Sequence, residues 1–121
     1  MSKTVLIVDA SGSFRAVVKL VLRLAGYGVV EAVDGRDAVS KLTGQPLNLI
    51  VCDLNMPHMD GLSLLRHLQG GGPYKNLPVI LLTTESQASK KAEGRAAGAR
   101  AWITKPFQPS ALVAAVHKLC I

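Results

Sequence analysis

The chain has 121 residues, 49% of them hydrophobic, with a formal net charge of +6 and a pI of about 9.7. That length suits a single domain over 1–121 with room for a core, and no apolar run approaches the roughly 20 residues of a membrane span, which excludes insertion by a helix. The basic balance leaves an acidic protein partner, nucleic acid or a plain solvated surface open. Cys52 and Cys120 lack metal-ligand spacing and are expected to be reduced and buried.

The first apolar run, Thr4-Val5-Leu6-Ile7-Val8, predicts a strand at 4–8 that ends in Asp9. Nothing before it reads as a signal peptide. Phe14, Val17, Val18, Val21 and Ala25 recur at helical spacing and predict a helix at 13–26, with Ser11 or Ser13 to cap it and Gly26 to end it. A strand at 28–32 and a helix at 35–43 follow. The run Leu49-Ile50-Val51-Cys52 predicts a strand at 48–52, ended by Asp53. A turn over Asn55-Met56-Pro57-His58-Met59-Asp60-Gly61 leads to a helix at 61–69, with Asp60 as turn former and cap.

After the surface loop Gly70-Gly71-Gly72-Pro73 comes a strand at 78–82, ending in Thr83, then a helix at 86–97. Ala101-Trp102-Ile103-Thr104 marks a strand at 100–104 that ends in Lys105-Pro106. Pro109 opens a last helix at 109–119, with Leu112, Val113, Val116, Leu119 and Cys120 on one side. Strand and helix thus alternate five times. The strands lack polar alternation, as expected for a parallel sheet buried on both faces. The fold class is α/β, a doubly wound (βα)5 five-stranded parallel sheet.

Open sheets of this class place their chemistry at the C-terminal ends of the strands. Here those ends carry Asp9, Asp53, Thr83 and Lys105. Two acids, a hydroxyl and an ammonium at one edge suit a divalent cation and a phosphoryl group.

Val8-Asp9, Asp53 with Met56-Pro57 and Asp60-Gly61, Thr83-Thr84-Glu85 and Lys105-Pro106-Phe107 together resemble the receiver domain of two-component response regulators, most of all its stand-alone chemotaxis form. The resemblance covers the whole chain and implies strand order 2-1-3-4-5. It implies that Asp53 accepts a phosphoryl group from a histidine kinase, with Mg²⁺ held by Asp9, Asp53 and the Asn55 backbone carbonyl. Lys105 would hold the phosphoryl oxygens, and its bond to Pro106 would be cis. Thr83 and Trp102 would form the switch, and Glu85 would influence hydrolysis of the acyl phosphate. The output face would carry Lys90, Lys91, Arg95, Trp102 and Lys118, suited to an acidic segment of a downstream protein. Taken singly, Trp102 has core packing as its alternative and Lys90-Lys91 a solvated helix face. With no attached DNA-binding or enzymatic domain in the sequence, the expected output is a protein–protein interaction in the cytoplasm, without direct nucleic-acid contact and without catalytic turnover beyond self-phosphorylation and self-dephosphorylation.

One residue departs from that pattern. Receivers usually carry two adjacent acids after the first strand, and this chain has Asp9-Ala10. Loss of the second acid weakens the expected Mg²⁺ site. It also opens an alternative, a phosphorylation-independent interaction module on a receiver scaffold. A phosphatase is disfavoured because Asn55 stands where a second acid would serve proton transfer. A flavin binder is disfavoured because Ala10-Ser11-Gly12-Ser13 holds one glycine only.

Overall fold

Five apolar runs become five parallel strands: β1 (Thr4–Val8), β2 (Gly28–Ala32), β3 (Leu49–Asp53), β4 (Val79–Thr84) and β5 (Ala101–Lys105). They form one sheet in the order β2-β1-β3-β4-β5, as expected. The helices between them are α1 (Gly12–Leu24), α2 (Gly35–Lys41), α3 (Gly61–Gln69), α4 (Lys91–Ala96) and α5 (Pro109–Leu119). The chain is seen in a computed structural model that describes residues 3–56, 59–84 and 90–120. The fourth helix was expected at 86–97. Residues 86–89 of that expectation, together with Glu85 and Pro57-His58, lie outside the described residues.

Alternation along each strand divides the core in two. Leu6, Val8, Ile50, Cys52 and Leu81 point to one face and pack with Ala38, Leu62, Leu64, Leu65 and Leu68 of α2 and α3. Val5, Ile7, Leu49, Val51, Ile80 and Leu82 point to the other and pack with Val18 and Leu22 of α1 and Leu112 and Val116 of α5. Both cysteines are free and buried, as expected.

The strands toward the site end later than the apolar runs suggest. β3 includes Asp53, β4 includes Thr83 and Thr84, and β5 includes Lys105. Parallel pairing carries on past the last apolar residue: Asp53 is in register with Leu82, and Thr84 with Lys105. The ladder is made by backbone groups, so a polar side chain does not stop it.

Ser11 caps α1 by accepting from the Phe14 N–H at 3.2 Å, and Pro109 opens α5. α1 stops at Leu24, short of the expected 26, because Gly26 turns to φ 96° and the chain reverses there. Val17 was expected on the buried face of α1 and is instead 53% exposed; Leu20 and Leu24 are also exposed. The helix packs through Phe14, Val18, Val21 and Leu22, which leaves Val17 outside the contact.

Candidate functional site

Asp9 follows β1 and is almost wholly buried, and Asp53 closes the adjacent β3. Their positions follow from β1 and β3 being direct neighbours. Lys105, at the end of β5, reaches across to both. Its Nζ lies 3.1 Å from Asp9 Oδ2 and 3.5 Å from Asp53 Oδ1. Lys105-Pro106 is cis, as the resemblance implies. The second Asp9 oxygen, Oδ1, accepts from the Ser11 backbone N–H at 2.8 Å.

The Asp53 carboxyl is held above the ordinary aspartate value, first by burial and next by the negative charge of Asp9. Lys105 and the Asn55 backbone N–H pull the other way and do not cancel it. The absence of an acid at position 10 therefore leaves Asp53 still reluctant to ionise. Burial and one neighbouring aspartate are enough.

Thr83 is buried beside these groups, and its Oγ1 donates to the Thr84 carbonyl at 3.2 Å. Trp102 lies in register with Leu81 and is partly buried against the core cluster of the α2–α3 face. The indole also fits against α4 at Gly94: a methyl group there would come within 2.7 Å of Trp102 Cζ3.

The structure brings Lys91, Arg95 and Trp102 together around a recess of about 210 Å³ between α4 and β5, where Arg100 joins them. Lys90 is exposed just before α4. Lys118 is exposed near the end of α5 and does not line that recess. Asp60 caps α3 by accepting from the Ser63 N–H at 2.8 Å, which is the turn-and-cap role its sequence context suggests.

Two contributors are not evident in the sequence. Arg15 donates to the Asp9 backbone carbonyl and pairs with Glu31 of β2, tying the loop after β1 to its neighbour strand. Phe14, read from periodicity as a core residue of α1, places its ring under the Lys105 ammonium. The only sequence signal for either was position, in the first turn of the helix that follows Asp9.

A divalent cation can be tested against these atoms. Both carboxylates approach a single ammonium, so they face a common point that a small cation could share. Ala10 offers no side-chain oxygen, and among the described residues no group of three or more His, Cys, Asp or Glu converges as a metal site. Mg²⁺ is ordinarily held by one or two carboxylates and several waters. Asp9 and Asp53 fit that pattern, with one charge fewer than an added acid at position 10 would give.

A family model of the response regulator receiver domain matches residues 5–117. The chain belongs to the response regulator receiver domain family. It is 36% identical to the chemotaxis protein CheY of Thermotoga maritima over 98% of both chains. The solved structure of the chemotaxis protein CheY4 of Vibrio cholerae superposes with a TM-score of 0.91 at 39% identity, covering 98% of this chain and 99% of that one. The receiver domain of a sensor histidine kinase from Pseudomonas aeruginosa, solved with a magnesium ion coordinated in its active site cleft, gives a TM-score of 0.89 at 25% identity, with 99% and 98% covered. Other curated relatives are longer, and the chain spans 47% of their length. Receivers act in signalling, between histidine kinases and downstream targets, and the family generally binds Mg²⁺. No helix among the described residues is long and apolar enough to cross a membrane.

Proposed function

We propose that the chain is a single receiver domain over 1–121 that accepts a phosphoryl group on Asp53 from a histidine kinase. The observation that supports this most is the reach of Lys105 to both Asp9 and Asp53 at one lip of the sheet. Asp53 is the nucleophile: one carboxylate oxygen forms the new bond to phosphorus as the bond from phosphorus to the donor nitrogen breaks. Little proton movement is needed at the acceptor, so charge placement matters most. Lys105 supplies a point charge for the phosphoryl oxygens, and Asp9 holds that lysine in line. When bound by Asp9, Asp53 and the Asn55 carbonyl, Mg²⁺ supplies further charge neutralisation at the phosphoryl oxygens.

The new negative charge at Asp53 then biases Thr83 and Trp102. Thr83 turns its hydroxyl toward the phosphoryl group, and Trp102 shifts relative to Gly94 of α4. The readout is a protein partner with an acidic segment on Lys90, Lys91, Arg95, Trp102 and Lys118. Likeness to chemotaxis proteins supports a role in chemotaxis within the cytoplasm. No nucleic-acid contact and no turnover of an external substrate belong to this reading.

The test is intact mass after incubation with a small-molecule phosphodonor, with and without Mg²⁺, using Asp53→Asn as control. The expected result is one added phosphoryl group that depends on Asp53. No gain at high Mg²⁺ would overturn the reading. A second reading, a phosphorylation-independent interaction module, is favoured by Ala10. Equal partner affinity for wild type and Asp53→Asn, with and without phosphodonor, is the result that module requires.

A further inference from the structure

The Lys105 ammonium is held on a third side. It sits 3.9 Å from the centroid of the Phe14 ring while meeting Asp9 and Asp53 with its donors. The ring is itself fixed. The Phe107 ring meets it edge to face at 5.7 Å and 83°. An aromatic face attracts a cation through its quadrupole, and more so when the cation is partly withdrawn from water. The Lys105 side chain is 21% exposed.

A benzene ring does not serve all cations alike. It can receive an ammonium, but it has no oxygen to offer Mg²⁺, which demands oxygen ligands and keeps its waters. With Ala10 next to Asp9, position 10 adds no anion to favour the metal either. We propose that Phe14 is a positioning residue for Lys105: its ring face pins the ammonium between Asp9 and Asp53, so that Mg²⁺ must compete with the lysine for the same two carboxylates. The inference rests on the reading of Asp9 and Asp53 as the metal-binding acids.

The test uses the intact chain without phosphodonor, comparing wild type, Phe14→Leu, Phe14→Met and Phe14→Tyr. Methionine, unbranched and longer than leucine, reaches further into the vacated space and serves if leucine unfolds the chain. Nitrogen NMR of the metal-free protein reads exchange of the Lys105 ammonium protons with water. A Mg²⁺ titration followed at the Asp53 and Asn55 amides reads metal affinity. In the aliphatic variants, exchange is expected to quicken and Mg²⁺ to bind more tightly, each by about threefold or more. Tyrosine, which keeps the ring face, should match wild type in both. Unchanged exchange or unchanged Mg²⁺ affinity in a folded aliphatic variant overturns the proposal, and failure of any variant to bind Mg²⁺ counts as unchanged. So does a tyrosine variant that behaves like the aliphatic ones. Because no phosphodonor is present, this result can fail while Asp53 still gains mass, and the converse also holds.

Discussion

Asp53 is a carboxylate whose surroundings oppose its charge. Burial and Asp9 hold its proton affinity above that of an ordinary aspartate, so ionised Asp53 is less favourable in the folded chain than in the unfolded one. At pH 7 that cost is present. It disappears as the pH falls through the raised folded value, because the folded carboxyl is then protonated. Asp53→Asn should therefore raise Tm at pH 7, and the advantage should shrink as the pH approaches the carboxylate range. Paired thermal melts of the two proteins across pH check both the sign and the trend. Ala10 carries a second prediction at this scale. Ala10→Asp restores an anion beside Asp9 and should tighten Mg²⁺ binding by roughly tenfold, read by calorimetry. An unchanged affinity would mean that position 10 does not govern the metal.

At the scale of elements, close backbone approach sets the site. Gly61, the first residue of α3, lies so near the end of β3 that a methyl group would come within 2.7 Å of the Asp53 carbonyl and 3.0 Å of Leu54 Cα. Neither is a flexible side-chain end, so Gly61→Ala must shift the helix or the strand. The expected cost is about 1–3 kcal/mol in denaturant unfolding, together with slower phosphoryl acceptance because Asp53 moves with its backbone. The elements themselves were legible in the sequence. Short Val, Ile and Leu runs, each ended by a polar residue and a turn, announced five strands and placed Asp9, Asp53, Thr83 and Lys105 at one edge. The ends of β1 and β2 match the sequence reading, whereas β3, β4 and β5 run on because hydrophobicity reports side-chain burial while Asp53, Thr84 and Lys105 stay in the ladder through their backbones. Phe14 and Arg15 were hidden for a different reason. Their partners Lys105 and Glu31 come from other elements, and helical spacing in α1 says only which way a side chain points, not whose charge it meets.

Across the whole molecule, the sheet separates two cores that share little beyond its strands. Leu64 of α3 belongs to one and Leu112 of α5 to the other, and both are fully or almost fully buried. Leu64→Ala and Leu112→Ala should each cost about 2–5 kcal/mol. Their double mutant should lose the sum of the two to within roughly 0.5 kcal/mol, since distant sites without shared partners add. Urea unfolding of the three variants measures this; a large departure would show that the strands transmit strain from face to face. The site lies across this boundary. Lys105, Phe14 and Phe107 belong to the α1–α5 side, while Trp102 and Gly94 belong to the side of α3 and α4. A chain partitioned in this way offers evolution two mutational neighbourhoods with one shared border. Substitutions packed beneath α1 and α5 can accumulate without disturbing the packing beneath α3 and α4, and the reverse holds as well.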